Sequence, residues 1–307
     1  MTPNFLSIPT DAQRAIATEL AGRLSYRPYS SEDFLTFWGR VPVVEAVDHL
    51  PLAQRGSSLA QGRIFFSSGG STGTPKYTLL SFAEVSNNSA THGKGYRACG
   101  ITPEDVVATW GLPGVMASEF TVYVALAETG CCILPIGDAR DPATVVNLIR
   151  GFRATVLLVM PSDLNPIVAY LERHGQTIES IRLVVTGGEA LFRVDQQRFS
   201  ARFAPNVAFR SVFQTSDTGT IGYQCQACGS DEYHVHEDLQ LLELINVGTD
   251  GVGELLTTNL QRQLVPVVRQ RTGDLARCLD GPCFCGKSGP RMQLHGRFGR
   301  FAKFGGE

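Results

Sequence analysis

Residues 131–187, CCILPIGDARDPATVVNLIRGFRATVLLVMPSDLNPIVAYLERHGQTIESIRLVVTG, decide the fold class. The apolar runs CCILPI (131–136), ATVLLVM (154–160) and IRLVVTG (181–187) are rich in Val, Ile and Leu and are bounded by Gly, Pro or Ser, which predicts buried strands. Between them DPATVVNLIRGF and SDLNPIVAYLERHG have helical spacing, and they open with Asp-Pro and Ser-Asp start signals. Strands alternating with amphipathic helices predict a mainly parallel sheet covered on both faces. Upstream, RIFFSS (63–68) and DVVATW (105–110) extend the strand set, with SFAEVSNNSATHGKGYRA and SEFTVYVALAET as helices. Helices are also expected at 11–24 and 31–38, followed by a loop, QRGSSLAQG. After about residue 220, YHVHEDLQLLELI, GELLTTNL and LVPVVRQRTGD are strand-like pieces joined by Gly and Asp turns, which predicts an antiparallel part. The expected division is therefore an α/β core over 1–220 and an antiparallel β part over 221–296, with 297–307 left as a terminal segment.

The 307 residues are 43% hydrophobic and 18% charged, enough apolar content for a large core and an enclosed small-molecule site. Net charge is −2, so there is no broad field to hold nucleic acid or an anionic membrane. No apolar run approaches the roughly 18 residues of a membrane span, and the opening residues lack the basic-then-apolar layout of a signal peptide; a cytoplasmic location is expected.

Directly after the strand at 63–68 comes Ser67-Ser68-Gly69-Gly70-Ser71-Thr72-Gly73-Thr74-Pro75-Lys76. Its glycines let the backbone turn and present N–H groups, its hydroxyls add donors, and Lys76 adds a positive charge, a combination suited to polyphosphate. A Walker A loop is excluded, because Pro75 precedes the lysine and Tyr77 follows it. The same stretch formally matches the Gly-x-Ser-x-Gly elbow of α/β-hydrolases, with Ser71 as nucleophile and His174, His234, His236 or His295 as partner. Gly73 and Pro75 oppose the helix that an elbow requires immediately behind its serine.

Together with this loop, four further segments in order resemble the adenylate-forming (acyl-CoA synthetase-like) enzymes, and within them the phenylacetate-CoA ligase-like branch. Thr186-Gly187-Gly188-Glu189 looks like that family's adenine-side turn, and Phe213-Gln214-Thr215-Ser216-Asp217-Thr218-Gly219 is similar to its aromatic-Gly-x-Thr-Glu-x-Gly segment. Gly253-Glu254-Leu255 then precedes Arg271-Thr272-Gly273-Asp274, which resembles the Tyr-Arg-Thr-Gly-Asp element, and Gly296-Arg297 resembles the hinge. The resemblance implies the large N-terminal domain of the adenylate-forming fold, and attack of a carboxylate on the α-phosphorus of ATP with magnesium present. It implies that Ser68, Gly70, Ser71, Thr72, Gly73 and Lys76 cradle the departing phosphates, Ser216 contacts the α-phosphate and Asp217 ligates magnesium. Gly187, Gly188 and Glu189 would line the adenine pocket, Asp274 would accept from the ribose hydroxyls, and Arg297 would lie nearby. As a bland alternative, Asp217 and Asp274 are ordinary turn acids.

The chain departs from the family pattern in places. Asp217 stands where the family has Glu, Gln214 where it has glycine, and Gly299 where an acid usually follows the hinge; Lys303 falls at a commonly basic position. The sequence given ends at Glu307, where family chains enter a small C-terminal domain carrying a lysine, so 297–307 is expected to be the hinge and the start of a missing or reduced domain. The type most similar is the compact adenylating proteins of phenazine-antibiotic biosynthesis. Their resemblance implies an aromatic or aryl acid substrate and CoA, a carrier protein or a reductase as acceptor. A non-catalytic nucleotide or aryl-acid binder is the alternative.

Cys225-Gln-Ala-Cys228-Gly229 and Cys283-Phe-Cys285-Gly286 form a second constellation. The first is a knuckle whose glycine lets backbone N–H groups turn toward sulfur, and the second pair completes tetrahedral zinc of a closed, structural kind. The branch has a Cys, a His and a Cys-x-Cys-Gly in these places, so the resemblance allows His234 to replace one of the first pair. Reduced surface thiols are the alternative. Cys99, Cys131 and Cys132 are read as core. For the acyl pocket, Trp110–Gly114, Glu119–Tyr123, Phe209 and Phe213 are candidates, although Phe120 and Tyr123 at helical spacing also suit plain core.

Overall fold

The computed structural model describes residues 3–46, 48, 62–67, 76–110, 117–137 and 141–298. The chain forms two compact units, one of residues 1–88, 215–221 and 231–307, the other of 89–214 and 222–230. This grouping differs from the expected cut at residue 220, because the N-terminal helices pack with the antiparallel strands.

The second unit holds the strands β3 (Val106–Trp110), β4 (Cys132–Gly137), β5 (Val156–Val159), β6 (Leu183–Gly187) and most of β7 (Ala208–Thr215). They are all parallel, in the order β7-β6-β5-β3-β4. Strand periodicity sends alternate residues to opposite faces. Ala108, Leu157, Val159 and Val184 enter one core with Val145, Ile149, Leu164, Leu171 and Phe199, contributed by α5 (Pro142–Gly151), α6 (Pro161–Arg173) and α7 (Arg193–Ser200). Val107, Val156, Leu158, Leu183 and Val185 enter another with Tyr96, Cys99, Val122 and Leu126, from α3 (Phe82–Cys99) and α4 (Ala117–Ala127). The sheet is thus helix-covered on both faces, as the apolar runs predict. Asp141 caps α5 through the N–H groups of Ala143 and Thr144, with Pro142 in the first turn. At the other end of the strands Asp105 is buried, accepting from Thr155 Oγ1 (2.7 Å) and from the Arg182 guanidinium.

Strand β1 (Arg63–Ser67) departs from expectation. It pairs antiparallel with β2 (Tyr77–Ser81), Ser67 opposite Tyr77, as a two-stranded sheet. Residues 68–76 alone join the two strands, and a parallel crossover needs about a dozen residues or more.

In the first unit the antiparallel order is β10 (Gln240–Ile245), β11 (Gly253–Asn259), β12 (Val267–Leu279), β13 (Arg291–Arg297), β9 (Glu232–Val235). Helices α1 (Asp11–Arg23) and α2 (Phe34–Arg40) bury Ala17, Leu20, Phe37 and Trp38 against Leu241, Leu260 and Val268. Trp38 Nε1 donates to Glu243 Oε1 (2.7 Å), and Arg269 pairs with Glu243 at 3.0 Å while donating to the carbonyls of Trp38 and Val41. These contacts fix the N-terminal segment to β10 and β12. No described helix is long and apolar enough to cross a membrane.

Candidate functional site

Ser68, Gly70, Ser71, Thr72 and Gly73 lie outside the described residues, so the hydrolase nucleophile and most of the expected phosphate loop do too. Lys76 enters β2, exposed, with Nζ donating to the Ala46 carbonyl at 2.8 Å, and the next residue's N–H donates to Asp48 Oδ1 at 2.9 Å. Behind this hairpin Glu84 is buried and accepts from Ser81 N and Oγ and from the N–H groups of Gln263 and Leu264. Burial pushes its carboxyl up, but the Leu264 and Ser81 donors outweigh burial and hold it below the ordinary value.

The acidic segment forms the turn between β7 and β8 (Gly219–Tyr223). Thr215 Oγ1 donates to Asp217 Oδ1 (2.6 Å) and accepts from the Thr218 N–H (3.1 Å), a side chain folding its own turn. The Thr218 carbonyl accepts from Asn259 Nδ2 (2.7 Å) and Gln240 Nε2 (3.0 Å). Gly219 has φ +84, and a Cβ there would stand 2.3 Å from Asn88 Oδ1, which accepts the Thr220 N–H at 2.9 Å. Only glycine fits. Asp217 is half-buried and its Oδ2 accepts from Gln270 Nε2, so both oxygens are held by donors from this unit. Ser216 sits in the same turn, half-buried. Arg262 is 3% exposed, with Nη2 donating to the Leu79 carbonyl at 3.3 Å; burial lowers its guanidinium pKa, while Glu84 and Asp217 oppose that.

Asp274 and Arg297 are cross-strand partners in β12 and β13. Arg297 Nη1 lies 3.3 Å from both Asp274 oxygens and donates to the Thr272 carbonyl at 3.1 Å. Between them Gly273, at φ +79, lets the chain turn so that Thr272 Oγ1 receives the Asp274 N–H. Asp274 is 8% exposed, and burial pushes its carboxyl above the ordinary value against the opposing charge of Arg297. Arg271 pairs with Glu254 and with Glu45.

In the second unit Gly187 ends β6 and Gly188 takes φ +79. Glu189 turns to α6: Oε2 accepts the Ser162 N–H (3.0 Å) and Oε1 accepts Ser162 Oγ (2.9 Å). Helix α6 therefore starts at Pro161 behind an N-cap, Met160, that makes no side-chain cap bond, whereas the sequence reading placed its start signal at Ser162-Asp163. Of the acyl-pocket candidates, residues 111–116 and the Trp110 and Glu119 side chains lie outside the description; Phe209 is buried in the core with α5 and α6, which withdraws it as a pocket wall. Phe120 is exposed and Phe213 half-buried.

None of the eight cysteines is in a disulfide. Cys225 and Cys228 Sγ stand 3.5 Å apart, and the N–H groups of Cys225 and Ala227 point at Cys228 Sγ and Cys225 Sγ (both 3.4 Å), the expected knuckle. Within the first unit His234 Nε2 is 3.4 Å from Cys285 Sγ; Cys283 is buried and Cys285 exposed. Burial, then the charges of Lys287 and Arg291, lower the His234 pKa and favour the neutral imidazole that ligates metals. Cys99 is core as expected, its thiol pushed up to about 12 by burial; Cys131 is partly buried, and Cys132 is exposed, correcting the core assignment.

Sequence reading missed Gln270, Asn88, Glu84 and Arg262. Only Gln270, directly before Arg271, lay beside a recognised motif.

The family described as AMP-binding enzyme matches residues 61–233. Phenylacetate-coenzyme A ligase of Escherichia coli is 26% identical over 225 residues, 70% of this chain and 51% of that protein. The Pseudomonas putida enzyme of the same name is 25% identical over 224 residues, 70% of this chain and 50% of that protein. The chain thus spans about half the length of these curated relatives. An open conformation of 2-hydroxyisobutyryl-CoA ligase, solved with 2-HIB-AMP and CoA, shares the fold with a TM-score of 0.76 at 15% identity, over 92% of this chain and 70% of that one.

Proposed function

Because the chain belongs to the AMP-binding enzyme family, we propose that it activates a carboxylic acid with ATP, and that the acid is aromatic or aryl. The acid's carboxylate oxygen attacks the α-phosphorus, an acyl–O–P bond forms, and the α–β phosphoanhydride breaks to release pyrophosphate. The observation that carries this reading is Asp274. Its carboxylate is kept buried in a β-strand at a cost in hydration, aligned by Arg297, in the motif that the family uses for the ribose hydroxyls. Lys76 and the loop before it would take the charge of the leaving phosphates. Ser216 would contact the α-phosphate.

Asp217 suits a magnesium ligand in chemistry: each oxygen accepts one protein donor and has capacity for another partner. When bound, the ion neutralises phosphate charge. For zinc we retain the set that the sequence pattern suggests, Cys225, Cys228, Cys283 and Cys285, with His234 as the alternative ligand. Supporting this choice, the Cys225–Cys228 sulfur separation is about that of two ligands on one tetrahedral zinc. Such a closed site is structural.

The acyl group would pass to CoA, a carrier protein or a reductase, in secondary metabolism of the phenazine type or in CoA ligation. The phenylacetate-CoA ligase relatives support an aromatic acid and CoA. The test is ATP–pyrophosphate exchange with a panel of benzoates, phenylacetates and phenazine carboxylates. Exchange that depends on one acid is the expected result; ATP binding without exchange for any acid favours the non-catalytic binder.

A further inference from the structure

We propose that Gln270 is a positioning residue for Asp217, its side-chain amide fixing the carboxylate in the orientation that meets a divalent cation on the nucleotide phosphates. The proposal rests on the adenylation reading above. Gln270 is 5% exposed in β12, paired in register with Thr257, so its amide is a buried polar group that needs a partner. Its Nε2 donates to Asp217 Oδ2, while Thr215 Oγ1 donates to Oδ1. Donors on both oxygens fix the rotation of a carboxylate as well as its place. The backbone beneath is already clamped, since the Thr218 carbonyl receives both Asn259 and Gln240. Rotation about the last bond of Asp217 is then the freedom left, and Gln270 removes it.

Two departures from the family pattern meet at this contact. Asp217 stands in place of Glu, and Gln270 occupies the place of the tyrosine in Tyr-Arg-Thr-Gly-Asp. Asp has one rotatable bond fewer than Glu, so an outside donor governs its aim more completely. A hydrophobic residue at 270 leaves Asp217 Oδ2 without this donor.

Gln270→Met keeps nearly the same volume and removes the amide. Calorimetric ATP binding over a magnesium series, with AMP binding in the absence of magnesium as the reference, reads the effect. The magnesium concentration for half-maximal ATP binding is expected to rise about ten-fold, the loss of one hydrogen bond to a charged group, with AMP affinity unchanged. In an Asp217→Asn background the same substitution should add nothing. An unshifted magnesium curve, an equal loss of AMP binding, or full additivity with Asp217→Asn overturns the proposal. Should Gln270→Met not fold, Gln270→Asn, which withdraws the amide by one methylene, carries the same test. A wild-type protein whose ATP binding ignores magnesium removes the metal role of Asp217 and this proposal together, whereas one that binds no ATP removes the adenylation reading itself.

Discussion

Asp274→Asn should stabilise the protein and weaken its hold on nucleotide. The Asp274 side chain is 11% exposed, and its partner Arg297, with a side chain 38% exposed, reaches both oxygens only at 3.3 Å. A pair with one arm that exposed is worth about 0–1 kcal/mol, less than the hydration lost on burial, which is why the carboxyl sits above its ordinary pKa. A raised carboxyl binds its proton more tightly in the folded chain than in the unfolded one. Its contribution is therefore complete below the unfolded pKa and is lost as pH rises through the folded pKa. Replacing the group with a neutral amide should raise the melting temperature by about 1–3 °C near neutral pH, for a gain of up to about 1 kcal/mol, and the two proteins should converge toward about pH 4. Nucleotide binding moves the other way. An amide offers one acceptor where the carboxylate offers two, so under the proposed ribose role one charged hydrogen bond to a hydroxyl would be lost, about 1.5–3 kcal/mol or roughly ten- to hundred-fold in AMP affinity. Thermal melts across pH and calorimetric AMP titration read both effects. A lower melting temperature at neutral pH, or undiminished AMP affinity, would refute the reasoning.

Lys76→Ala should weaken ATP binding by about ten-fold and AMP binding much less, since a charge facing the leaving phosphates has nothing to meet in AMP; equal losses would count against the phosphate role. Gly219→Ala should cost about 1–3 kcal/mol in chemical denaturation, from a left-handed backbone and a Cβ 2.3 Å from Asn88 Oδ1; a wild-type midpoint would contradict the close approach. Elemental analysis should find about one zinc per chain, lost in the double variant Cys225→Ser plus Cys228→Ser, with chelation destabilising the wild type; a metal-free preparation that melts like the zinc-loaded one refutes the site.

The covered parallel sheet was legible because its strands obey two rules at once, apolar throughout and alternating between two helix layers. Asp141-Pro142 marked a helix start correctly because the cap is local, its partners two and three residues on. The start of α6 was misplaced for the opposite reason: the N–H of Ser162 in its first turn is met by Glu189, from a turn 27 residues away. The strand at 63–67 has the apolar character of a parallel strand, and only the short link to Tyr77 distinguishes it from one. Motif residues such as Asp217 and Asp274 could be picked out through the resemblance of their segments to the adenylate-forming family. Their supports could not, because Gln270 reaching Asp217 or Asn88 reaching Thr220 is a contact between distant segments that leaves no period in the sequence.

Glu189 shows how a motif residue changes meaning once its partners are known. Under the proposed adenylation the Gly187-Gly188-Glu189 turn faces adenine, and a carboxylate there invites the assumption that it grips the base. Both its oxygens, however, accept from Ser162, one from the N–H in the first turn of α6 and one from the hydroxyl. An anion at a helix N-terminus meets unsatisfied N–H groups and the positive end of the helix dipole, so the carboxylate is at rest there. Drawing it away to a base would give up a charge-assisted hydrogen bond and leave the helix start uncapped, as Met160 makes no side-chain cap bond. Under that proposal the polar contacts to adenine would fall to the backbone of Gly187 and Gly188, which the φ of +79 at Gly188 turns out of the strand direction. Glu189 would then serve the pocket by fixing that turn to α6.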